Sequence, residues 1–143
     1  MQSVAMTLHF DGACTVNPGG VMSFGWHLDT ADGRRVAEGS GPIHGYPPEE
    51  RSCNTAEFEA ALAGLEWVSQ FRLLPVDSLL VVGDSQLAIN ILAGTWKAKK
   101  SHLRTLAERC RLAVAEIDVG HLEFKWVPRE RNGEADRLSK RTP

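Results

Sequence analysis

Four apolar residues in a row, Leu79-Leu80-Val81-Val82, followed by Gly83-Asp84, constrain this chain more than any other feature. A strand without polar alternation must be covered on both faces, as parallel strands between helices are. The first segment differs: Met6, Leu8 and Phe10 alternate with Thr7, His9 and Asp11, and Asn17-Pro18-Gly19-Gly20 then signals a turn. Ser23 to Leu28 reads as a second strand, Asp32-Gly33 as a hairpin turn, and the stretch around Arg35–Gly39 as a third strand. Residues 41–53, with Gly41-Pro42 and Pro47-Pro48, read as loop.

Asn54 and Thr55 are expected to cap a helix running to about Phe71, with Phe58, Ala61, Leu62, Leu65 and Val68 as its buried stripe. Glu57 falls in its first turn, above Ala61 and Gly64, where small residues let the helix press close to a sheet. A short helix is predicted from about Ser85 to Ala93, and a longer one from Ser101 to Glu116. His121 to Val127 reads as a fifth strand, and Asn132–Lys140 as a last helix. The order βββαβααβα implies an α/β fold: a mixed five-stranded sheet, with an antiparallel meander and then parallel strands, flanked by helices. No repeat or linker divides the chain, so residues 1–143 are expected to form one domain.

The balance of 43% hydrophobic and 24% charged residues excludes a disordered chain. No apolar run approaches the roughly 20 residues of a membrane span. The start, Met1 to Met6, lacks the regions of a signal peptide. Three cysteines without a CxxC pair argue against a disulfide framework or zinc site, which makes a reducing cytoplasm the expected location. The five histidines match no ligand spacing, and Trp26, Trp67 and Trp126 are expected in the core. The net charge of −2 hides an asymmetry. Residues 1–95 hold 4 Lys/Arg against 11 Asp/Glu, and residues 96–143 hold 12 against 7, which suggests a surface facing an anionic partner.

Asp11 and Asp84 each follow an apolar strand, the place where sites gather in open α/β sheets. If the first and fourth strands are neighbours, the two carboxylates can face each other, with Glu57 and Asp136 completing a cluster. Buried carboxylates repel each other and resist desolvation, so a divalent, oxygen-seeking cation is the natural counter-charge, Mg²⁺ or Mn²⁺ first. Each acid also has a structural reading, as a turn, a cap or a surface ion pair.

Phe10-Asp11-Gly12-Ala13-Cys14 followed by Asn17-Pro18-Gly19 resembles the opening of type 1 ribonuclease H. Asn54-Thr55-Ala56-Glu57, Gly83-Asp84-Ser85-Gln86 and Asn132-Gly133-Glu134-Ala135-Asp136 match its later blocks in order, from about residue 6 to 140. The resemblance implies a ribonuclease H-like fold and an endonuclease that cuts the RNA strand of RNA–DNA hybrids to 5′-phosphate and 3′-hydroxyl ends. It further implies that Asp11, Glu57, Asp84 and Asp136 hold two divalent ions, Mg²⁺ with Mn²⁺ as a possible substitute, roughly 4 Å apart with substrate bound. Cys14, Asn17, Asn54 and Gln86 fall where that family meets the minor groove of the hybrid, and Ser52 where it meets a DNA phosphate.

Two departures from the family pattern stand out. The loop Val127-Pro128-Arg129-Glu130-Arg131-Asn132 lacks the histidine of many members and looks like an archaeal-type branch, so Arg129 or Arg131 is expected to supply charge near the scissile phosphate. The basic protrusion between helices is reduced, leaving Trp96, Lys97, Lys99 and Lys100 as a compact expected DNA contact. A relaxed nuclease that also cuts RNA–RNA duplexes, or a non-catalytic hybrid-binding module, stays open as an alternative. A monomer that does not engage membranes is the default expectation.

Overall fold

The computed structural model describes residues 4–70 and 75–141 and contains five strands and four α-helices among them. The strands are β1 (Ala5–Thr15), β2 (Val21–Thr30), β3 (Arg35–Ile43), β4 (Val76–Gly83) and β5 (Val119–Trp126). The helices are α1 (Cys53–Gln70), α2 (Gln86–Ala93), α3 (Ser101–Ala115) and α4 (Gly133–Ser139). The sheet order is β3-β2-β1-β4-β5: β1 pairs antiparallel with β2 and β2 with β3, whereas β4 runs parallel to both β1 and β5. This is the mixed sheet expected from the sequence, and no helix among the described residues is long and apolar enough to cross a membrane.

Period-two alternation assigns the two sheet faces. Leu8, Phe10 and Gly12 of β1 sit opposite Leu28, Trp26 and Phe24 of β2, and this face takes α1. Gly12 and Gly64 allow the close approach, since a Cβ on Gly12 would strike the backbone of Ala56 and Glu57, and one on Gly64 would lie 2.8 Å from Leu8. The expected stripe of Phe58, Ala61, Leu62, Leu65 and Val68 is buried here, each large member contributing roughly 1.5–3 kcal/mol. α3 packs on α1 through Leu103, Leu106, Cys110 and Ala113. The opposite face takes α4, pressed down at Gly25, where a Cβ would lie 2.8 Å from the Ala135 carbonyl oxygen. Val81 and Val82 are both buried, as the unbroken apolar run requires.

Several boundaries differ from the sequence expectation. β1 does not end at Asp11 but continues to Thr15, because β2 pairs with it as far as Val21; only its parallel pairing with β4 stops earlier, at His9 opposite Val82. β3 likewise extends through Gly41-Pro42 to Ile43, and a short 3-10 turn at Pro48–Glu50 occupies part of the expected loop. The cap of α1 is Ser52, whose Oγ accepts from the Thr55 N–H at 3.1 Å, so Asn54 and Thr55 lie inside the helix and Glu57 lies beyond its first turn. The expected end near Phe71 falls outside the described residues. Trp26 and Trp67 pack together at 5.8 Å, but Trp126 is 41% exposed at the end of the edge strand β5.

Candidate active site

Asp11, Glu57 and Asp84 converge from three elements. Asp11 points from β1 where its parallel pairing has ended, Asp84 follows the last residue of β4, and Glu57 is carried in by the close packing of α1 over Gly12. One carboxylate oxygen from each lies within 4.8 Å of the others. Asp136 of α4 lies at the rim, near enough for its charge to act on Asp11 and Asp84. All four acids expected from the sequence therefore share one site.

The electrostatics follow from burial. Asp11 is 4% exposed, and desolvation, added to by the charges of Asp84 and Asp136, pushes its carboxyl up to about 7. Burial, then Asp11 itself, holds Glu57 well above the usual carboxylate range. Asp84 is raised by burial although Asn132 and Arg129 oppose the shift. Asp136 goes the other way: burial raises it, but Asp11, Lys140 and Arg129 together hold it low. Lys140 Nζ lies 3.2 Å and Arg129 Nη2 3.5 Å from its Oδ1.

This donor set fits a hard divalent cation. It is all oxygen, it is under mutual repulsion that a cation would relieve, and Glu57 Oε2 is buried without a hydrogen-bond partner. Repulsion of this kind is costly to keep in a core without such a counter-charge.

Two residues of the site were not singled out by sequence reasoning. Asn132 is 1% exposed, and its Nδ2 donates to the Phe10 carbonyl at 2.9 Å and to Asp84 Oδ2 at 3.4 Å. It thus ties β1 to the Asp84 carboxylate from the start of α4, and its place in the Asn-Gly-Glu-Ala-Asp block was the available signal. Trp126 donates from Nε1 to the Asp84 carbonyl at 3.0 Å, which explains why the ring stays at the rim instead of entering the core.

The structure separates the two loop arginines. Arg129 reaches Asp136, whereas Arg131 is exposed and forms no ion pair among the described residues. Asn17 Oδ1 accepts from the Cys53 N–H at 3.2 Å, linking the turn after β1 to the start of α1. Cys14 Sγ lies 3.4 Å from the Val16 carbonyl, and Gln86 and Asn54 are exposed. Asn54 shares a cavity of about 600 Å³ with Trp96, Lys97, Lys99 and Lys100, so the expected substrate residues of α1 and of the α2–α3 connection border one groove.

The histidines are less scattered than their spacing suggests. His9 and His27 are cross-strand partners with stacked rings 4.5 Å apart, and His27 Nδ1 lies 2.7 Å from Asp29. Burial holds both below the ordinary histidine range, His9 at about 4, so the stack is neutral at neutral pH.

Comparison with known proteins matches residues 9–142 to a family described as reverse transcriptase-like. The Ribonuclease HI of Halobacterium salinarum is 35% identical over 131 residues; these are 92% of this chain and 60% of the relative, so the chain spans less than two-thirds of that protein. The crystal structure of RNase H1 from the same archaeon superposes with a TM-score of 0.80 at 34% identity, covering 94% of each chain. LC11-RNase H1, solved in complex with an RNA/DNA hybrid, has a TM-score of 0.80 at 27% identity, covering 93% of this chain and 92% of that one.

Proposed function

The chain belongs to the type 1 ribonuclease H family, and from that premise we propose that it is a metal-dependent endonuclease hydrolysing the RNA strand of RNA–DNA hybrids to 5′-phosphate and 3′-hydroxyl ends. The observation that carries this reading is the meeting of Asp11, Glu57 and Asp84 within 4.8 Å, with Asp136 beside Asp11. A related enzyme of similar fold was solved with an RNA/DNA hybrid, which supports the choice of substrate.

Two divalent ions, Mg²⁺ first and Mn²⁺ as substitute, would supply an activated water and charge neutralisation at the leaving oxygen when bound. Asp11, Glu57 and Asp84 are the residues to hold them, and Asp136 adds a fourth carboxylate that its neighbours keep ionised. Asn132 fixes the Asp84 carboxylate through its amide, and Trp126 fixes the backbone behind it. Arg129 brings a permanent positive charge to the mouth, where it stabilises a phosphate but cannot shuttle a proton.

Substrate contacts divide by chemistry. Asn17, Asn54 and Gln86 both donate and accept, which suits the RNA 2′-hydroxyl, and Cys14, near the end of β1, is the fourth residue assigned to this contact. Ser52 offers a hydroxyl to a DNA phosphate. Trp96 with Lys97, Lys99 and Lys100 offers an aromatic face beside phosphate-neutralising charge.

The test uses labelled RNA–DNA, RNA–RNA and DNA–DNA duplexes, each with Mg²⁺, Mn²⁺ or EDTA, beside an Asp84→Asn variant. Metal-dependent cutting of RNA in the hybrid alone, lost in the variant, is the expected result. Cutting of RNA–RNA as well would make the protein a relaxed nuclease. Binding of the hybrid without cleavage under either metal would sink the catalytic reading in favour of a binding module.

A further inference from the structure

His102, the second residue of α3, reaches across to the start of α1. Its Nε2 lies 3.0 Å from Thr55 Oγ1, an atom of a residue with no exposed surface. Thr55 Oγ1 donates its only proton to the Glu50 carbonyl at 2.6 Å. It can therefore only accept from its other neighbours, which makes His102 a donor at Nε2. The same reasoning orients Ser52, whose Oγ lies 3.2 Å from Thr55 Oγ1 and must donate to it. Ser52 Oγ in turn accepts the Thr55 N–H at 3.1 Å as the cap of α1.

We infer that His102 is a positioning residue for substrate binding, acting through Thr55 to leave the Ser52 hydroxyl proton free for a phosphate oxygen of the nucleic acid. With His102 donating, the buried Thr55 oxygen keeps an acceptor bond when Ser52 rotates outward. Without it, Ser52 is the one remaining donor to an oxygen buried away from water, and its proton stays turned inward. Tyr46 steadies the ring from the side, edge-on at 6.4 Å, and is itself held by a 2.6 Å bond from its hydroxyl to Glu59. The inference rests on the hybrid-cleaving reading, because it assigns Ser52 a phosphate to meet.

The experiment is a double-mutant cycle read by steady-state kinetics on a labelled RNA–DNA hybrid, with thermal melts to confirm folding. His102→Ala should raise KM about fivefold and leave kcat within about twofold. His102→Gln, which keeps a donor near the Nε2 position, should recover most of the affinity and serves if the alanine variant folds poorly. In a Ser52→Ala background, His102→Ala should add almost nothing, since the residue it acts through is gone. Nitrogen chemical shifts of the His102 ring should report the Nε2–H tautomer. An unmoved KM in His102→Ala, fully additive effects in the cycle, or an Nδ1–H tautomer would each overturn the inference. A wild-type protein that cuts no hybrid would overturn the functional reading, and this inference with it.

Discussion

Gly12→Ala places a single methyl group where β1 and α1 leave no room for one. Its Cβ would lie 2.5 Å from the Ala56 carbonyl oxygen and nearer still to the Ala56 carbonyl carbon and the Glu57 nitrogen. Ordinary contact begins near 3.4 Å, and the nearest of these atoms decides, so the helix backbone must retreat by more than about 1 Å. These are backbone atoms in the second turn of an 18-residue helix, and no rotamer change can relieve them. Lifting α1 loosens Phe58, Ala61, Leu62 and Leu65 together, so the cost belongs at the upper end of overpacking, about 3 kcal/mol. For a chain of this size that lowers Tm by about 12 °C. The same movement carries Glu57 away from Asp11 and Asp84, and a displacement near 1 Å in a catalytic array costs on the order of 100-fold in turnover. Calorimetry or a circular-dichroism melt gives the first number, and metal-dependent hybrid cleavage the second. Gly133→Ala is the control, because a Cβ there meets nothing within 4 Å and lies in the first turn of α4. If Gly12→Ala melts within about 2 °C of Gly133→Ala, the close approach of helix and strand is wrong.

Other consequences can be checked beside it. Without metal, the folded state keeps protons on Asp11 and Glu57 that the unfolded chain releases, from the ordinary carboxylate range up to about pH 7. Stability in EDTA should therefore fall as pH rises from 5 to 8, and Mg²⁺ should abolish the fall; parallel melts with and without Mg²⁺ would refute the cluster as a cation site. Asn132→Ala should cost about 2 kcal/mol by stranding the Phe10 carbonyl, and should raise the Mg²⁺ concentration for half-maximal cleavage by freeing Asp84. Arg129→Ala should lower kcat more than Arg131→Ala, since only Arg129 reaches Asp136; equal effects would remove its assignment. Replacing Lys97, Lys99 and Lys100 by Ala should weaken hybrid binding and flatten the logarithmic salt dependence by up to about 2.7 units, and an unchanged slope would clear the groove of any phosphate contact.

The pattern of this chain determines its elements because burial has a period. The unbroken run at Leu79–Val82 demands cover on both faces, the alternation from Met6 to Phe10 demands a strand, and the stripe from Phe58 to Val68 demands a helix facing the sheet. The four acids are legible too, since each sits in a short block with its own turn or helix signal. The ends of the elements were less so. Nothing local says that β1 runs on to Thr15, because that extension is held by hydrogen bonds to β2, nor that Ser52 rather than Asn54 or Thr55 caps α1, since all are good caps and neighbouring contacts decide among them.

Only the folded chain could bring Asn132 to Asp84, seat Trp126 at the rim, stack His9 on His27, or lay His102 against Thr55. Each pairing joins residues remote in sequence or set by strand register, and all but the histidine stack give a polar group a hydrogen-bond partner once the sheet and helices have closed. Periodicity is a local property that a sequence carries openly. The satisfaction of buried polar groups is a property of the whole packing, and that is why the clustered acids could be read from the sequence while the residues that hold them in place could not.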